Sequence, residues 1–454
     1  MNRRSFLASA AAAVTSLPAA AVRKPNFLFI LLDDLGYGDF GCYGQKYIQT
    51  PNVDRLAREG TRFTDAYAGG AVCAPSRSCL MTGQHTGHTP VRANAGTVPI
   101  LPGDITLAEV LKKAGYATGG FGKWGLGDAG STGVPTKHGF DEFFGYLHQV
   151  HAHSYYPEFL WDNDKKFPLP GNANGARKQY SAELIAQRSF EFLKKHRNEP
   201  FFLYACYTLP HAKFEIPDLG IYRDKSWPET QKTYAAMVTL ADHYIGQLLK
   251  LLAEFGLEKD TVVFVTSDNG AHSGEGKGFE FFRSNGPLRG EKGQLYEGGI
   301  RVPMIVRWPG RTPAGKTDST PWAFWDVLPT LAELAGVKPP AGIDGISVAP
   351  LLRGEGASKL AKREFLYWET PVWENKAGRF REGVLPQAVR MGRWKALRAK
   401  PGAPVALYDL QTDIGETRDV SSQHPAEVRR IEEYLKTART EPRPHNTGSM
   451  QFVS

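Results

Sequence analysis

The chain of 454 residues is long enough to bury a large core, so one big domain with a smaller appendage is expected rather than several equal ones. Its 41% hydrophobic and 22% charged residues are ordinary for a globular protein, and four cysteines over such a length exclude a disulfide scaffold. A formal net charge of +8 suits anionic ligands, and no nucleic-acid partner is expected.

The chain opens with the pair Arg3-Arg4, an apolar run over residues 8–17 and the small-residue site Ala19-Ala20-Ala21. This reads as a secretion signal of twin-arginine type over residues 1–21, cleaved after Ala21, with export of the folded chain to the periplasm or outside the cell. The run is well short of the ~18–20 apolar residues that a permanent anchor needs, so no integral membrane segment is expected.

Residues 26–32 form a continuous apolar run, the mark of a strand covered on both faces in a parallel sheet. The run stops at Asp33-Asp34. Ligands of open α/β sheets sit beyond the carboxyl ends of strands, where adjacent carboxylates can hold a cation; a solvated acidic turn is the plain alternative. Thr50-Pro51 then opens a helix that ends at Gly60. The stretch Val72-Cys73-Ala74-Pro75-Ser76-Arg77 delivers Cys73 to the start of a short helix, whose free N–H groups favour an anion. Arg77 lies four residues on, on the same helix face, and can reach back over Cys73 or the anion held there. Taken alone, a cysteine at such a place is more often a buried structural thiol.

Thr106-Leu107-Ala108-Glu109 is a capping box that starts another helix, closed by Gly115. The strand after it, residues 116–122, delivers Lys123 in Gly122-Lys123-Trp124-Gly125-Leu126-Gly127. Residues 149–157 are rich in His and aromatics without a clean period, so they read as a loop; His151 and His153 lack the companions of a zinc site. A buried strand over residues 200–207 leads to Thr208-Leu209-Pro210-His211. The helix expected over residues 234–255 sets Met237, Leu240, Tyr244, Leu248 and Leu251 on one stripe that packs on the sheet.

The strand over residues 260–266 opens into Ser267-Asp268-Asn269-Gly270. With Asp33 and Asp34 it offers three carboxylates and one amide, an all-oxygen set for Ca2+ or Mg2+ rather than zinc, and adaptable coordination favours calcium. A Gly-rich loop over residues 288–303 carries Lys292, with a strand expected at 300–308 and a helix at 325–335. Short strands at 365–369, 388–391, 394–398 and 405–408 suggest a small antiparallel sheet, closed by a helix at 425–437. The fold class is α/β: a large, mostly parallel or mixed sheet flanked by helices over residues 24–360, then a smaller antiparallel sheet plus helix over 361–454.

Cys73-Ala74-Pro75-Ser76-Arg77, the Gly-Lys-Trp segment, His211, Asp268-Asn269-Gly270 and the loop with Lys292 resemble, in this order, the motifs of the sulfatase family in the alkaline phosphatase superfamily. The resemblance implies that Cys73 is oxidised to formylglycine by a formylglycine-generating enzyme before export, and that the aldehyde hydrate attacks the sulfur of a sulfate ester. It implies a metal held by Asp33, Asp34, an oxygen on the converted Cys73, Asp268 and Asn269. Arg77, Lys123 and Lys292 would then disperse sulfuryl charge, while His211, with Lys292, protonates the departing alcohol. The family carries a His where this chain has Gly125, which can neither take nor give a proton through a side chain. His153, and after it His151, are expected to supply the missing imidazole from a loop that also meets substrate. That loop, with Trp368 and Trp373, suits stacking on a sugar ring, so a sulfated glycan is expected rather than a steroid or simple phenol. A phosphodiesterase or phosphonate monoester hydrolase of the same superfamily is the alternative activity. A non-catalytic carbohydrate-binding or metal-storage protein is the reading from another class.

Overall fold

All seven residues of β1 (Asn26–Leu32) are buried, as an unbroken apolar strand requires when both sheet faces are covered. Successive side chains leave a strand on opposite faces, so Leu28, Ile30 and Leu32 enter one core while Phe27, Phe29 and Leu31 enter another. The computed structural model describes residues 24–94, 98–273, 278–374 and 379–443, and the segment read as an export signal lies outside them.

The main sheet comprises β1, β2 (Thr61–Phe63), β3 (Ala117–Lys123), β4 (Glu142–Tyr146), β5 (Phe159–Asp162), β6 (Lys165–Pro168), β7 (Phe201–Cys206), β8 (Thr261–Ser267), β9 (Met304–Arg307) and β10 (Lys316–Asp318). Their order across the sheet is β10-β2-β9-β8-β1-β7-β3-β4-β5-β6. The run from β8 to β4 is parallel, and antiparallel pairing towards both edges makes the sheet mixed. Helices α1 (Pro51–Glu59), α2 (Cys73–Thr82), α3 (Leu107–Lys113), α4 (Ser181–Lys195), α5 (Glu229–Glu254) and α6 (Val327–Leu334) sandwich it. Helices α1, α4 and α5 cover the Leu28 face; α2, α3 and α6 cover the Phe29 face.

The capping box at Thr106 forms as the sequence indicates. Helix α5 begins earlier than expected, at Glu229, and Leu240 and Leu251 sit only half-buried at the margin of its apolar stripe. The expected strand at 300–308 shortens to β9, because Glu297–Ile300 coils into a buried helical turn.

A second sheet of β11 (Phe365–Glu369), β12 (Gln387–Met391), β13 (Trp394–Arg398) and β14 (Ala406–Asp409) is antiparallel throughout and is covered by α7 (Pro425–Leu435). One face packs Leu366, Trp368 and Ala388 against Tyr67, Ile300 and Trp325, and the other packs Val389 and Leu407 with Ile431 and Leu435 of α7. This arrangement corrects the expectation for Trp368. Its ring is fully buried and its indole N–H donates to the Ala68 carbonyl at 2.9 Å, so it offers no surface to a sugar. The Trp373 side chain lies outside what the structure describes.

Candidate active site

The carboxyl ends of four parallel strands and the start of one helix meet at a single place. β1 runs into Asp33 and Asp34, β3 ends in Lys123, β8 runs into Asp268 and Asn269, the loop after β7 holds His211, and α2 begins at Cys73. Parallel strands place their exits on one rim, so residues distant in sequence become neighbours. Asp34 turns the chain with a left-handed φ of 61°, a conformation uncommon outside glycine. Its N–H donates to Asp268 Oδ1 at 3.1 Å and the Leu35 N–H to Ser267 Oγ at 2.9 Å, which ties the two strand ends together.

Cys73 Sγ stands 3.4 Å from Asp33 Oδ1 and 3.9 Å from Asp34 Oδ1. One atom each from Asp33, Asp34, Cys73 and His211 lies within 4.8 Å of all the others. Three cations face three carboxylates. Lys123 Nζ is 2.8 Å from Asp33 Oδ2, Lys292 Nζ is 2.6 Å from Asp34 Oδ2, and Arg77 Nη2 is 2.7 Å from Asp268 Oδ2. Arg77 does reach back from α2, but it spends its donors on Asp268 and the Lys123 carbonyl and does not lie free above Cys73.

The charges set the protonation states. Burial opposes ionisation of Asp33, yet Lys123 and the other neighbours outweigh it and hold the carboxyl well below the usual range. Burial, followed by the field of Lys123, pushes His211 down to about 3. Burial and then the Asp268 charge push the Cys73 thiol up, which leaves it a poor nucleophile as a plain cysteine.

The donors suit a hard divalent cation. Asn269 Oδ1 is buried without a hydrogen-bond partner, while its Nδ2 donates to Asp34 Oδ1 at 2.8 Å. An orphaned acceptor beside three carboxylates is what such an ion would satisfy.

Residues 25–337 match the family described as Sulfatase, and residues 290–441 match the one described as N-sulphoglucosamine sulphohydrolase, C-terminal. The chain belongs to the sulfatase family. This sulfatase is 31% identical to steryl-sulfatase of Mus musculus over 92% of its own length and 82% of the relative's. It is 33% identical to N-acetylgalactosamine-6-sulfatase of Homo sapiens, covering 81% and 75% of the two chains. The crystal structure of Ps i-CgsB in complex with k-i-k-neocarrahexaose superposes with a TM-score of 0.79 at 31% identity, over 92% of this chain and 94% of that one. Phosphonate monoester hydrolase of Agrobacterium radiobacter, 20% identical with a TM-score of 0.69 over 91% and 95% of the chains, shares the fold.

The sulfatase holds His211 by two contacts. Its Nδ1–H donates to the Ala212 carbonyl, and the Tyr155 hydroxyl lies 2.7 Å from the Thr208 carbonyl and 3.0 Å from that of His211. Nε2 therefore carries the lone pair, 3.4 Å from Lys292 Nζ. Of the two loop histidines, His153 reaches the site, its ring edge-on to His211 at 4.6 Å. His151 turns elsewhere and packs against Phe159 at 4.6 Å and Tyr146 at 5.0 Å.

Sequence reasoning passed over two amides here. Asn94 Oδ1 accepts the Ala74 N–H at 2.9 Å and fixes the first turn of α2. Gln149 lies buried against Gly125, inside the loop whose imidazoles drew attention. A second group, His85, His88 and Asp344, is a hydrogen-bonded clamp. The Gly87 N–H donates to His85 Nδ1 at 3.2 Å, which puts the ring proton on Nε2, facing Asp344 at 3.6 Å. His88 Nδ1 donates to the same carboxylate at 2.9 Å. No helix among the described residues is long and apolar enough to cross a membrane.

Proposed function

We propose that this sulfatase hydrolyses a sulfate ester carried by a sugar, with Cys73 converted to formylglycine and calcium held by Asp33, Asp34, Asp268 and Asn269. The observation that carries this reading is the approach of Asp33, Asp34, Cys73 and His211 to within 4.8 Å of one another, beside Lys123 and Lys292. The names of two relatives, N-acetylgalactosamine-6-sulfatase and a neocarrahexaose complex, support a carbohydrate. A steryl-sulfatase is similar to a comparable degree, so steryl sulfates belong in the assay.

The aldehyde hydrate would supply the attacking oxygen, and the cation a Lewis acid for the sulfuryl group. The side chains do the rest. Lys123 and Lys292 flank Cys73 with fixed positive charge where negative charge develops. Arg77 holds Asp268 in its ligating orientation. Asp34 keeps the Lys292 ammonium protonated against the cost of burial, and Lys292, beside the acceptor Nε2 of His211, delivers that proton to the departing alcohol.

The test is parallel turnover of sulfated sugars, aryl and steryl sulfates and a phosphodiester, with mass spectrometry of the Cys73 peptide. Sulfate esters are expected to be cleaved, and Cys73→Ala to lower the rate by about 10⁶-fold, the order seen when a covalent nucleophile is removed. Faster turnover of the phosphodiester would replace this reading with a phosphonate or phosphodiester hydrolase. An unmodified thiol in fully active protein would rule out formylglycine. Export through the Arg3-Arg4 signal belongs to the same proposal, and replacing both arginines by lysine should retain the protein in the cytoplasm.

A further inference from the structure

A cavity of about 310 Å³ lies where Arg92 of the large domain meets the second sheet, within the size range of small-ligand pockets, about 300–1,000 Å³. Its floor is Glu369 at the end of β11, only 1% exposed, which accepts from Arg92 at 3.2 Å, Arg439 at 2.9 Å and the Tyr367 hydroxyl at 2.8 Å. Arg381, Glu382, Lys400 and Glu441 stand around it. The carboxylates are all engaged, for Glu441 meets Arg439 Nη1 at 3.0 Å and Glu382 meets Arg379 at 2.8 Å. Two cations are not. Lys400, exposed just past β13, has no ion pair among the described residues, and Arg439 keeps Nη2 without a partner among them. The charge left to meet a ligand is therefore positive, on donors that suit an oxyanion.

The cavity leads towards the reaction centre. A small recess shares Arg92, Phe380 and Pro442 with it and reaches Ala93. Two residues beyond Arg92, at most about 7 Å along an extended chain, the exposed Asn94 accepts at 2.9 Å the N–H of Ala74, the residue after Cys73. The strip from Arg92 to Asn94 thus joins the cavity to the first turn of α2. Phe380, Pro371 and Pro442 give the cavity an apolar wall, on which the face of a sugar ring can pack.

We infer that Lys400 and Arg439 form a second anion site of this sulfatase, which holds an acidic group on a sugar neighbouring the one whose sulfate ester lies at Cys73. The inference rests on the sulfatase reading and deepens it: the substrate is a glycan with more than one anionic substituent, sulfate or carboxylate. Glu369 fixes the Arg439 guanidinium through Nε and leaves Nη2 for the ligand. The site grips the chain and takes no part in the reaction at sulfur.

Two variants at this exposed position test it. Lys400→Gln removes the charge and Lys400→Glu reverses it, and both should melt as the parent does. p-Nitrophenyl sulfate carries no second anion, so its kcat/KM should stay within about twofold of the parent's. Competition against this turnover by two tetrasaccharides reads the site: one from carrageenan, whose anions are all sulfates, and one from chondroitin 6-sulfate, which adds uronate carboxylates. Lys400→Gln should weaken inhibition by about 3–10-fold, between the worth of an exposed ion pair and that of a buried charged hydrogen bond, and Lys400→Glu by more. The loss should shrink as salt rises. A loss with both tetrasaccharides supports a site for either oxyanion, and a loss with one supports it and names the group held. Inhibition that neither variant changes, or a parent that neither tetrasaccharide inhibits, would overturn the inference. An equal loss of p-nitrophenyl sulfate turnover would also overturn it, since Lys400 would then act as a general field. Failure of the parent enzyme to cleave any sulfate ester would instead remove the underlying reading.

Discussion

In the proposed reaction, proton delivery to the departing oxygen falls to Lys292, with His211 beside it as an acceptor. The Nδ1 proton of His211 is committed to the Ala212 carbonyl, and burial followed by Lys123 pushes the ring down to about 3, so its Nε2 is an acceptor. Lys292 holds its proton because Asp34, at 2.6 Å, outweighs burial. Lys292→Met should therefore lower kcat on an alkyl or sugar sulfate by about 10²–10⁴-fold, the usual worth of a positioned acid. It should cost far less on p-nitrophenyl sulfate, whose leaving group needs no proton. A comparison of kcat across leaving groups measures this, and equal losses on both would assign Lys292 to binding alone. The residues of this centre differ in how plainly the sequence announces them. Asp33, Asp34, Asp268 and Asn269 stand where apolar runs break off, and Cys73 and Lys123 sit in short motifs, so position and chemistry coincide. Asn94 has no such signature, because its amide gains its meaning from the Ala74 N–H, a partner remote in the sequence. Trp368 misleads for a related reason: both faces of its sheet are covered, and alternation along a strand does not tell which residues meet solvent.

At the scale of elements, the site depends on how closely β3 lies to its neighbours. A Cβ on Gly122 would fall 1.8 Å from the Cys206 carbonyl of β7, and one on Gly145 of β4 would fall 2.0 Å from the Gly122 carbonyl. Gly122 also has a φ of 127°, outside the range of other residues. Gly122→Ala should cost about 1–3 kcal/mol through overpacking, read as a lower denaturation midpoint. Activity should fall further than stability in the surviving folded enzyme, since Lys123 is the next residue and its contact with Asp33 moves with the strand. A folded variant with native kcat/KM would show that the register of β3 does not set Lys123. The buried strands β1, β7 and β8 are legible because their apolar runs are unbroken. β4, β5, β6 and α4 are not. The β5–β6 hairpin carries exposed Lys165 and Lys166, and α4 buries Ser181, Ala182, Ala186 and Ser189 among Ile185, Phe192 and Leu193, small and polar residues that dilute its apolar stripe, while Phe192 closes on Gly119.

At the scale of the whole molecule, a buried ionic knot joins the two sheets directly behind the loop that carries Lys292. Lys395 of β13 lies 2.8 Å from Glu297 Oε1 and 3.4 Å from Glu416, with all three side chains fully buried. The Tyr67 hydroxyl donates to Glu297 Oε2 at 2.7 Å, Arg301 approaches the same oxygen at 3.1 Å, and the Glu297 N–H donates to Glu416 Oε2 at 2.7 Å. Ion pairs of this kind contribute little net stability compared with an apolar packing, but removal of one partner strands the other charge in the interior. Lys395→Met should thus cost about 3–5 kcal/mol. Burial already raises Glu416, and without the ammonium its folded-state value rises further above that of the unfolded chain. The folded state then binds the extra proton, so the deficit should grow as pH rises through the carboxyl range and shrink on acidification. Denaturant unfolding of parent and variant at about pH 5 and about pH 8 reads this directly, and a pH-independent deficit would remove the stranded carboxylates as its cause. Glu297→Gln in the Lys395→Met background separates charge from packing. If charge dominates, the double variant recovers part of the loss and its coupling is strongly non-additive; if the losses simply add, the knot acts through shape, and the Lys292 loop is held by packing against Trp325 and Trp368 instead.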